Sequence, residues 1–290
     1  MFNMRSFYNQ LNQSLSDIYS SSEIRIFGNL ILNKITGLPL VKILAERDLT
    51  LSPDQIEEVN QIIARLKKYE PIHYILGEME FYGLKFKVNP DVLIPRPETE
   101  ELVEWVSHDL KFTVSDAEAK NVSVLDIGTG CGCIPIALKK HHPEIFIAAM
   151  DISEEALAVA KENGAMHQTE VDFFQDDILN PKDNNTIWDV IVSNPPYIPL
   201  AEKADIDKQV KDYEPYVALF TPTEKSLMYY ESIVSYALSH LMPNGKIYFE
   251  THKSFARDVA VLLGNKGFKD VIIRTDISGN ERMVRAVLEC

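Results

Sequence analysis

The tetrapeptide Asn194-Pro195-Pro196-Tyr197 is the part of the sequence that most directly suggests chemistry. Its two successive prolines fix backbone φ angles and lack N–H groups, so the segment offers carbonyl oxygens on a stiff backbone. The Asn194 side-chain oxygen and the Pro195 carbonyl could accept the two N–H groups of a planar amide or an aryl amine. Acceptors placed in this way orient the nitrogen lone pair toward an electrophilic methyl group without a strong base. We therefore predict that these four residues bind the substrate and carry catalysis; a simple turn after a strand is the alternative.

A glycine-rich loop, Gly128-Thr129-Gly130-Cys131-Gly132, is the second chemical signal. It follows an apolar run and precedes a helical pattern. Glycine permits positive φ angles and close approach of a ligand to the backbone, and the start of the helix offers free N–H groups. The spacing GxGxG differs from the GxGxxG of dinucleotide sites, which argues against NAD. The loop therefore predicts a nucleotide-like cofactor, and a tight turn without a ligand is the alternative.

Two acidic positions follow later apolar runs and suit the same ligand. Asp151 lies close to the spacing of about 20 residues at which an acid accepts hydrogen bonds from ribose hydroxyls. Asp177, followed by Ile178, comes after the third apolar run, where a carboxylate could accept the exocyclic amine of adenine. We predict that Asp151, Asp177 and Ile178 bind the cofactor together with Asn194. A helix cap at Asp151 and a solvated acidic turn at Asp177 remain open.

Apolar runs alternate with helical patterns through residues 97–290. Strands are predicted at residues 122–125, 145–150, 171–174, 188–193 and 246–250, and near Val271 and Val284. Helices are predicted at residues 98–110, 132–141, 154–166, 224–241 and 255–263. Such alternation predicts a mainly parallel sheet with helices on both faces, which is a Rossmann-like α/β fold. Ligands bind beyond the carboxyl ends of the strands in such sheets, so the tetrapeptide should lie beside the glycine-rich loop.

The residues before this fold predict two smaller parts. Residues 4–70 have helical spacing, and Ser52-Pro53-Asp54 predicts a helix with Ser52 as its N-cap. Residues 79–96 alternate in polarity and are interrupted by turn residues, which indicates a hairpin. We therefore expect a helical N-terminal domain at 1–78, a β-hairpin linker at 79–96 and a cofactor-binding catalytic domain at 97–290.

Composition limits the class of protein. The chain has 290 residues, 46% of them hydrophobic and 25% charged, which is typical of a soluble globular protein. No apolar run approaches the roughly 20 residues of a membrane span, and no secretory signal pattern begins the sequence, so we expect a cytoplasmic protein. The formal charge of −14 disfavours nucleic acid as a partner. Three cysteines, Cys131, Cys133 and Cys290, form neither a disulfide framework nor a zinc-ligand pattern.

Over nearly its whole length, the chain resembles the HemK-type peptide chain release factor glutamine methyltransferases. The resemblance rests on the loop, Asp151 and the tetrapeptide, and on residues 70–77, Phe81, Gly83, 92–100, 213–215 and 218–219. It implies the class I methyltransferase fold, S-adenosylmethionine as methyl donor with S-adenosylhomocysteine as product, and no metal. It also implies transfer to N5 of the glutamine in the GGQ motif of bacterial release factors 1 and 2. We expect a monomer with a substrate-docking N-terminal domain.

The resemblance also implies roles for individual residues. Asn194 and Pro195 would hold the glutamine amide, while the loop and Asp151 would hold the cofactor. Arg96, with Glu98 and Glu100, would close one side of the substrate site, unless Arg96 only pairs with Glu100.

The sequence departs from the family pattern at two places. Thr251-His252 stand where the family usually has Ile-Gly, and Cys131 stands where Ser or Thr is common. We expect His252 to be a surface or capping residue and not a catalyst.

Two other functions fit part of the pattern. The tetrapeptide would also suit an exocyclic amine, as in a methyltransferase acting on adenine N6 or guanine N2 of a nucleic acid. The negative charge and the absence of a basic insert argue against that function. A cofactor-binding protein without activity is the second alternative, and the intact tetrapeptide argues against it.

Overall fold

The computed structural model describes residues 3–45, 49–114, 122–182, 185–204, 206–221 and 227–289. The chain divides into two compact units. The first comprises Met1–Gly77 and Asp207–Tyr213, and the second comprises Glu78–Ile206 and Glu214–Cys290. The chain thus leaves the second unit once and returns to it.

The first unit is helical, as the apolar spacing predicts. Its helices are α1 Met4–Leu15, α2 Ser21–Thr36, α3 Leu40–Ala45, α4 Pro53–Leu66 and α5 Ile72–Leu76, with a short helix at Lys208–Tyr213. Ser52 caps α4 as predicted, because its hydroxyl accepts from the Gln55 backbone N–H while Gln55 Oε1 accepts from Ser52 N. Buried apolar side chains of α1, α2 and α4 form one core. The Tyr213 hydroxyl donates to the Lys68 carbonyl at 2.8 Å within this unit.

A short antiparallel hairpin begins the second unit. Its strands are β1 Glu78–Phe81 and β2 Leu84–Lys87, joined by Tyr82 and Gly83 with φ angles of 49° and 72°. Positive φ at both residues suits the tight turns that match the twist of paired strands. The predicted hairpin is confirmed up to Lys87, and residues 88–96 continue without a strand. The alternation there reflects buried side chains beside an irregular backbone that contains Pro90 and Pro95.

The rest of the second unit alternates strands and helices. In chain order the elements are α6 Pro97–Val114, β3 Ser123–Ile127, α7 Cys133–His141, β4 Phe146–Asp151, α8 Glu154–His167, β5 Asp172–Gln175, β6 Trp188–Ser193, α9 Met228–His240, β7 Leu241–Glu250, α10 Ala256–Asn265, β8 Phe268–Thr275 and β9 Glu281–Leu288. A 3₁₀ helix at Leu200–Ala204 and a short helix at Tyr216–Leu219 lie between β6 and α9. These elements confirm the predicted Rossmann-like α/β fold.

One seven-stranded sheet runs through this unit in the order β5-β4-β3-β6-β7-β9-β8. The pairs from β5 to β7 are parallel, whereas β9 is antiparallel to both of its neighbours. No helix separates β8 from β9, and strands joined by a short turn must pair antiparallel. The chain leaves β3 toward β4 and β5 and later returns on its other side as β6. The carboxyl ends of β3 and β6 therefore form the switch point where such sheets bind ligands.

Some predicted boundaries differ from the structure. Helix α6 extends to Val114, beyond the predicted end at 110. Helix α9 begins at Met228; its predicted start at Glu224 lies outside the described residues, as does Cys290. No helix among the described residues is long and apolar enough to cross a membrane.

Candidate active site

A cleft of about 850 Å³ opens at the carboxyl ends of β3, β4, β5 and β6. Among the predicted site residues, those that line it are Gly128, Gly130, Asp151, Asp177, Ile178, Asn194, Pro195 and Pro196. Thr129, Cys131, Gly132, Tyr197 and Arg96 do not line it. The cleft thus brings the glycine-rich loop, both predicted acids and most of the tetrapeptide together.

The glycines of the loop serve two different purposes. Gly128 and Gly130 have φ angles of 75° and 54°, and a side-chain carbon added to either would meet no atom within 4 Å. The space before them is therefore open to a ligand. A carbon added to Gly132, whose φ is 81°, would lie 3.1 Å from Ile136 Cδ1 and 3.2 Å from Ala160 Cβ. Gly132 therefore allows α7 to pack closely against α8.

Asp151 connects the loop to the end of β4. Its Oδ2 accepts from the Gly130 backbone N–H at 2.8 Å, and its Oδ1 accepts from Ser153 N at 3.0 Å. Burial raises the pKa of Asp151, while the backbone N–H groups of Ser153 and Gly130 oppose that rise. The residue thus holds the loop in place and also presents a carboxyl group to the cleft.

The Asp126 carboxyl group and the Thr129 hydroxyl are both buried near the loop. Asp126 is fully buried, and neither its carboxyl oxygens nor the Thr129 hydroxyl has a hydrogen-bond partner within the described residues. Burial raises the pKa of Asp126 to about 7; the nearby Thr129 hydroxyl lowers it and Asp151 raises it further. Sequence reasoning missed Asp126, although an acid inside an apolar strand directly before GxGxG was a visible signal.

The loop after β5 is organised by two acids. Asp176 is buried, and its carboxylate accepts from the backbone N–H groups of Asp177 and Lys182. Asp177 Oδ1 accepts from Leu179 N at 2.9 Å, and Asp177 and Ile178 both line the cleft. Asp177 therefore stabilises the turn in which it lies, and it also lines the cleft.

The tetrapeptide leaves β6 directly into the cleft. The Ser193 hydroxyl before it donates to the Ile127 carbonyl at 2.7 Å, which joins the ends of β6 and β3. Asn194 Nδ2 donates to the Thr99 hydroxyl at 3.2 Å. No described residue donates to Asn194 Oδ1 or to the Pro195 carbonyl. Two acceptors on adjacent residues are therefore available at the end of β6.

Thr99 and Glu250 lie behind the tetrapeptide, and sequence reasoning assigned neither of them to the site. The Thr99 hydroxyl donates to Glu250 Oε2 at 2.6 Å, and the Tyr197 hydroxyl lies 3.4 Å from Glu250 Oε1. Burial raises the pKa of Glu250 to about 7, and the Thr99 hydrogen bond and the positive charge of Arg282 oppose that rise. Burial also raises the pKa of Tyr197. An acid that ends an apolar strand was the signal available for Glu250.

Arg96 does not pair with Glu100. Its guanidinium donates to Glu214 Oε1 at 2.7 Å, and Glu214 Oε2 accepts from the Ile94 backbone N–H at 3.2 Å. Glu100 instead accepts from the backbone N–H of Tyr82 at 2.9 Å. The segment before α6 is thus joined to the segment after the tetrapeptide through a buried carboxylate.

His252 takes part in a turn, in keeping with the expected capping role. Its Nδ1 accepts from Ser254 N at 3.3 Å, and its ring lies 5.9 Å from that of Tyr197. Burial lowers the pKa of His252, and the carboxylate of Glu202, 3.7 Å from Nε2, opposes that change. Cys131 and Cys133 are buried free thiols, and the described part of the chain contains no group of three or more metal-ligating side chains.

Comparisons with known proteins agree with this architecture. Residues 110–210 match the methyltransferase small domain, and residues 7–77 match the PrmC N-terminal domain. A protein of Flavobacterium psychrophilum named release factor glutamine methyltransferase is 40% identical over 97% of this chain and 98% of its own length. One of the same name from Bacteroides thetaiotaomicron is 39% identical over 95% of this chain and 97% of its own.

A solved structure shares the fold at low identity. The hMettl16 catalytic domain in complex with MAT2A 3′UTR hairpin 6 has a TM-score of 0.53 and 14% sequence identity, covering 83% of this chain and 84% of that one. At this identity the likeness concerns the fold alone.

Proposed function

Because the chain belongs to the release factor glutamine methyltransferase family, we propose that it methylates the side-chain amide nitrogen N5 of a glutamine in a release factor. The methyl donor in this proposal is S-adenosylmethionine, and the product is S-adenosylhomocysteine. The observation that carries the proposal is the pair of available acceptors, Asn194 Oδ1 and the Pro195 carbonyl, beside the open space at Gly128 and Gly130.

The residues around the loop fit such a cofactor. The loop and both predicted acids line one cleft, and the missing side chains at Gly128 and Gly130 leave room against the backbone. Asp151 would accept from the ribose hydroxyls, and Asp177 with Ile178 would hold the adenine. Thr129, Cys131 and Gly132 would shape the loop from behind. When bound, the cofactor supplies an electrophilic methyl group on a sulfonium.

The substrate side would act by orientation. The amide N–H groups of the glutamine would donate to Asn194 Oδ1 and the Pro195 carbonyl, which turns the nitrogen lone pair toward the cleft. These acceptors also stabilise the positive charge that develops on the nitrogen during transfer, and the methylated nitrogen then releases one N–H proton to solvent. Pro196 and Tyr197 would form the wall of the glutamine slot, and Arg96 would close one side through its contact with Glu214.

We propose bacterial release factors 1 and 2 as the protein substrates, with the glutamine of the GGQ motif as the acceptor. The helical N-terminal domain, 1–78, would dock the release factor; the segment 79–96, which contains most of the hairpin, would link it to the catalytic domain at 97–290. We expect the enzyme to act as a monomer, without a metal, in the cytoplasm where release factors work.

Radiolabelled methyl transfer to purified release factor tests this proposal. The matched substrate control is the same release factor with the GGQ glutamine replaced, and DNA and ribosomal RNA serve as alternative acceptors. We expect label only on the unaltered release factor. Label on nucleic acid would support the exocyclic-amine alternative, and cofactor binding without any transfer would support a protein that lacks activity.

A further inference from the structure

The orientation of the Asn194 side-chain amide depends on a chain of hydrogen bonds behind it. Asn194 Nδ2 lies 3.2 Å from the Thr99 hydroxyl, and that hydroxyl lies 2.6 Å from Glu250 Oε2. A carboxylate only accepts hydrogen bonds, and a hydroxyl has one proton to donate. While Glu250 is ionised, Thr99 therefore donates to it and can only accept from Asn194. An asparagine amide has a donor and an acceptor end, and this network decides which end points backward.

We propose that Thr99 and Glu250 are positioning residues that hold the Asn194 amide with its oxygen turned toward the substrate. The inference rests on the proposed function, because it assigns a purpose to the direction of an amide that would bind the glutamine. Without the hydroxyl at position 99, the two ends of the Asn194 amide would have similar environments. The inverted amide would present N–H groups to the N–H groups of the substrate, and the acceptor would be lost.

Glu250 is connected to both ends of the tetrapeptide. One carboxyl oxygen reaches Asn194 through Thr99, and the other lies 3.4 Å from the Tyr197 hydroxyl. Its backbone carbonyl accepts from the Tyr230 hydroxyl at 3.1 Å, which fixes the end of β7. A single carboxyl group thus holds the residue that would bind the amide and the aromatic ring that would form its slot.

Burial of Thr99 and Glu250 is energetically unfavourable, which suggests that the two residues have a role in the site. Thr99 is 2% exposed and Glu250 is 1% exposed, and Glu250 has no ion pair within 4 Å among the described residues. Burying a carboxyl group without a close opposite charge is unfavourable relative to burying an apolar side chain. The hydrogen bonds from Thr99 and Tyr197 offset only part of that cost, which points to a role in the site.

Substitution of Thr99 tests the inference. Thr99→Val removes the hydroxyl and keeps the branched shape, whereas Thr99→Ser keeps the hydroxyl. We expect Thr99→Val to lower kcat for release factor methylation about 10-fold or more, with KM and the cofactor Kd within about 2-fold. Thr99→Ser should restore most of kcat. Ser107→Ala is the matched control, because it removes another buried hydroxyl from the same helix, and we expect it to keep full activity.

A second readout does not depend on activity. The side-chain amide signals of Asn194, assigned with the Asn194→Ala variant in protein labelled with ¹⁵N-asparagine, report its hydrogen bond. We expect slower exchange with water in the wild type and in Thr99→Ser than in Thr99→Val. If Thr99→Val does not fold, Thr99→Ala takes its place. It removes the same hydroxyl and puts no methyl group in the position of that hydroxyl. Equal exchange in all folded variants would overturn the inference.

A double-mutant cycle separates this inference from the proposed function. If Thr99 acts through Asn194, adding Thr99→Val to Asn194→Ala should cost little further activity. If the two losses multiply, Thr99 acts independently and the positioning role is wrong. If Asn194→Ala lowers kcat but Thr99→Val does not, the inference fails while the proposed function stands. If Asn194→Ala has no effect on kcat, the proposed role of the tetrapeptide itself fails.

Discussion

The two sides of the cleft are held in place by different means. On the loop side, the backbone N–H groups of Gly128 and Thr129 donate to the Met150 carbonyl, and Gly130 N donates to Asp151. These contacts join the ends of two adjacent parallel strands. On the tetrapeptide side, Asn194 depends on side chains from the start of α6 and the end of β7.

This difference suggests that the loop side binds the cofactor and that the tetrapeptide side orients the substrate amide. A loop whose backbone N–H groups donate to the Met150 carbonyl and the Asp151 carboxyl group, both at the end of the adjacent strand, is held locally, which suits the binding of a cofactor. An amide held through two side chains from distant elements can be disturbed without moving the backbone. We therefore expect changes on the loop side to alter cofactor affinity, and changes on the tetrapeptide side to alter rate.

Asn194→Ala should produce the largest effect and tests the tetrapeptide side. Removal of an acceptor that strengthens in the transition state should lower kcat by about 10² or more, with cofactor Kd unchanged within about 2-fold. Single-turnover methylation and calorimetric titration of S-adenosylmethionine measure the two quantities. A large loss of cofactor affinity would move Asn194 to the cofactor side and remove the distinction.

Asp151→Ala tests the loop side, where we expect a change in cofactor affinity and a smaller change in rate. Loss of the carboxylate removes both the acceptor for Gly130 N and the proposed acceptor for ribose hydroxyls. We expect cofactor Kd to rise by about 10-fold to 10²-fold, while kcat at saturating cofactor falls less. Asp172→Ala, which removes an exposed acid from β5, is the control for the loss of negative charge. An unchanged cofactor Kd for Asp151→Ala would contradict the assignment.

The pH dependence of stability sharpens the comparison, because Asp126 lies fully buried near the loop side. Burial raises the pKa of Asp126 to about 7, above its ordinary value. The folded protein therefore keeps a proton that the unfolded chain releases, and this contribution to stability is lost as pH rises from about 4 through 7. Relative to the wild type, Asp126→Asn should gain roughly 1–3 kcal/mol between pH 5 and pH 8. Urea unfolding at the two pH values measures this gain, and parallel behaviour of both proteins would contradict it.

Gly132→Ala should have the smallest effect and should act on stability. Its added carbon would crowd Ile136 and Ala160 at a φ of 81°. We expect a loss of about 1–2 kcal/mol in the free energy of unfolding. Gly264→Ala is the matched control, because Gly264 lies in α10 with nothing within 4 Å of an added carbon, and alanine there should be neutral or stabilising. Equal effects of both substitutions would show that packing at Gly132 is not special.

The difference between the loop side and the tetrapeptide side also explains which features of the fold and the site the sequence could predict. The loop side follows from local signals, since strand, glycines and acid stand in a short stretch, and β6 was predicted with its observed bounds, Trp188–Ser193. The α4 cap was likewise local, because Ser52 and Gln55 are three positions apart. Such features are decided by neighbouring residues, so spacing is sufficient to find them.

The unpredicted features depend on residues far apart in the chain. The partner of Arg96 is Glu214, and the partners behind Asn194 are Thr99 and Glu250. No spacing rule joins these positions, because the sheet order brings them together only after folding. The strand near Val284 was predicted, but its antiparallel direction was not, since alternation of strands and helices predicts parallel neighbours and no helix separates β8 from β9.

A crystal structure with S-adenosylhomocysteine and a glutamine-containing release factor tests the central claim most directly. We expect the glutamine amide nitrogen to lie about 2.7–3.2 Å from both Asn194 Oδ1 and the Pro195 carbonyl, with the cofactor sulfur facing it across the cleft. Asn194 Nδ2 should still donate to Thr99. A glutamine amide bound elsewhere, or an Asn194 oxygen turned to Thr99, would contradict the account.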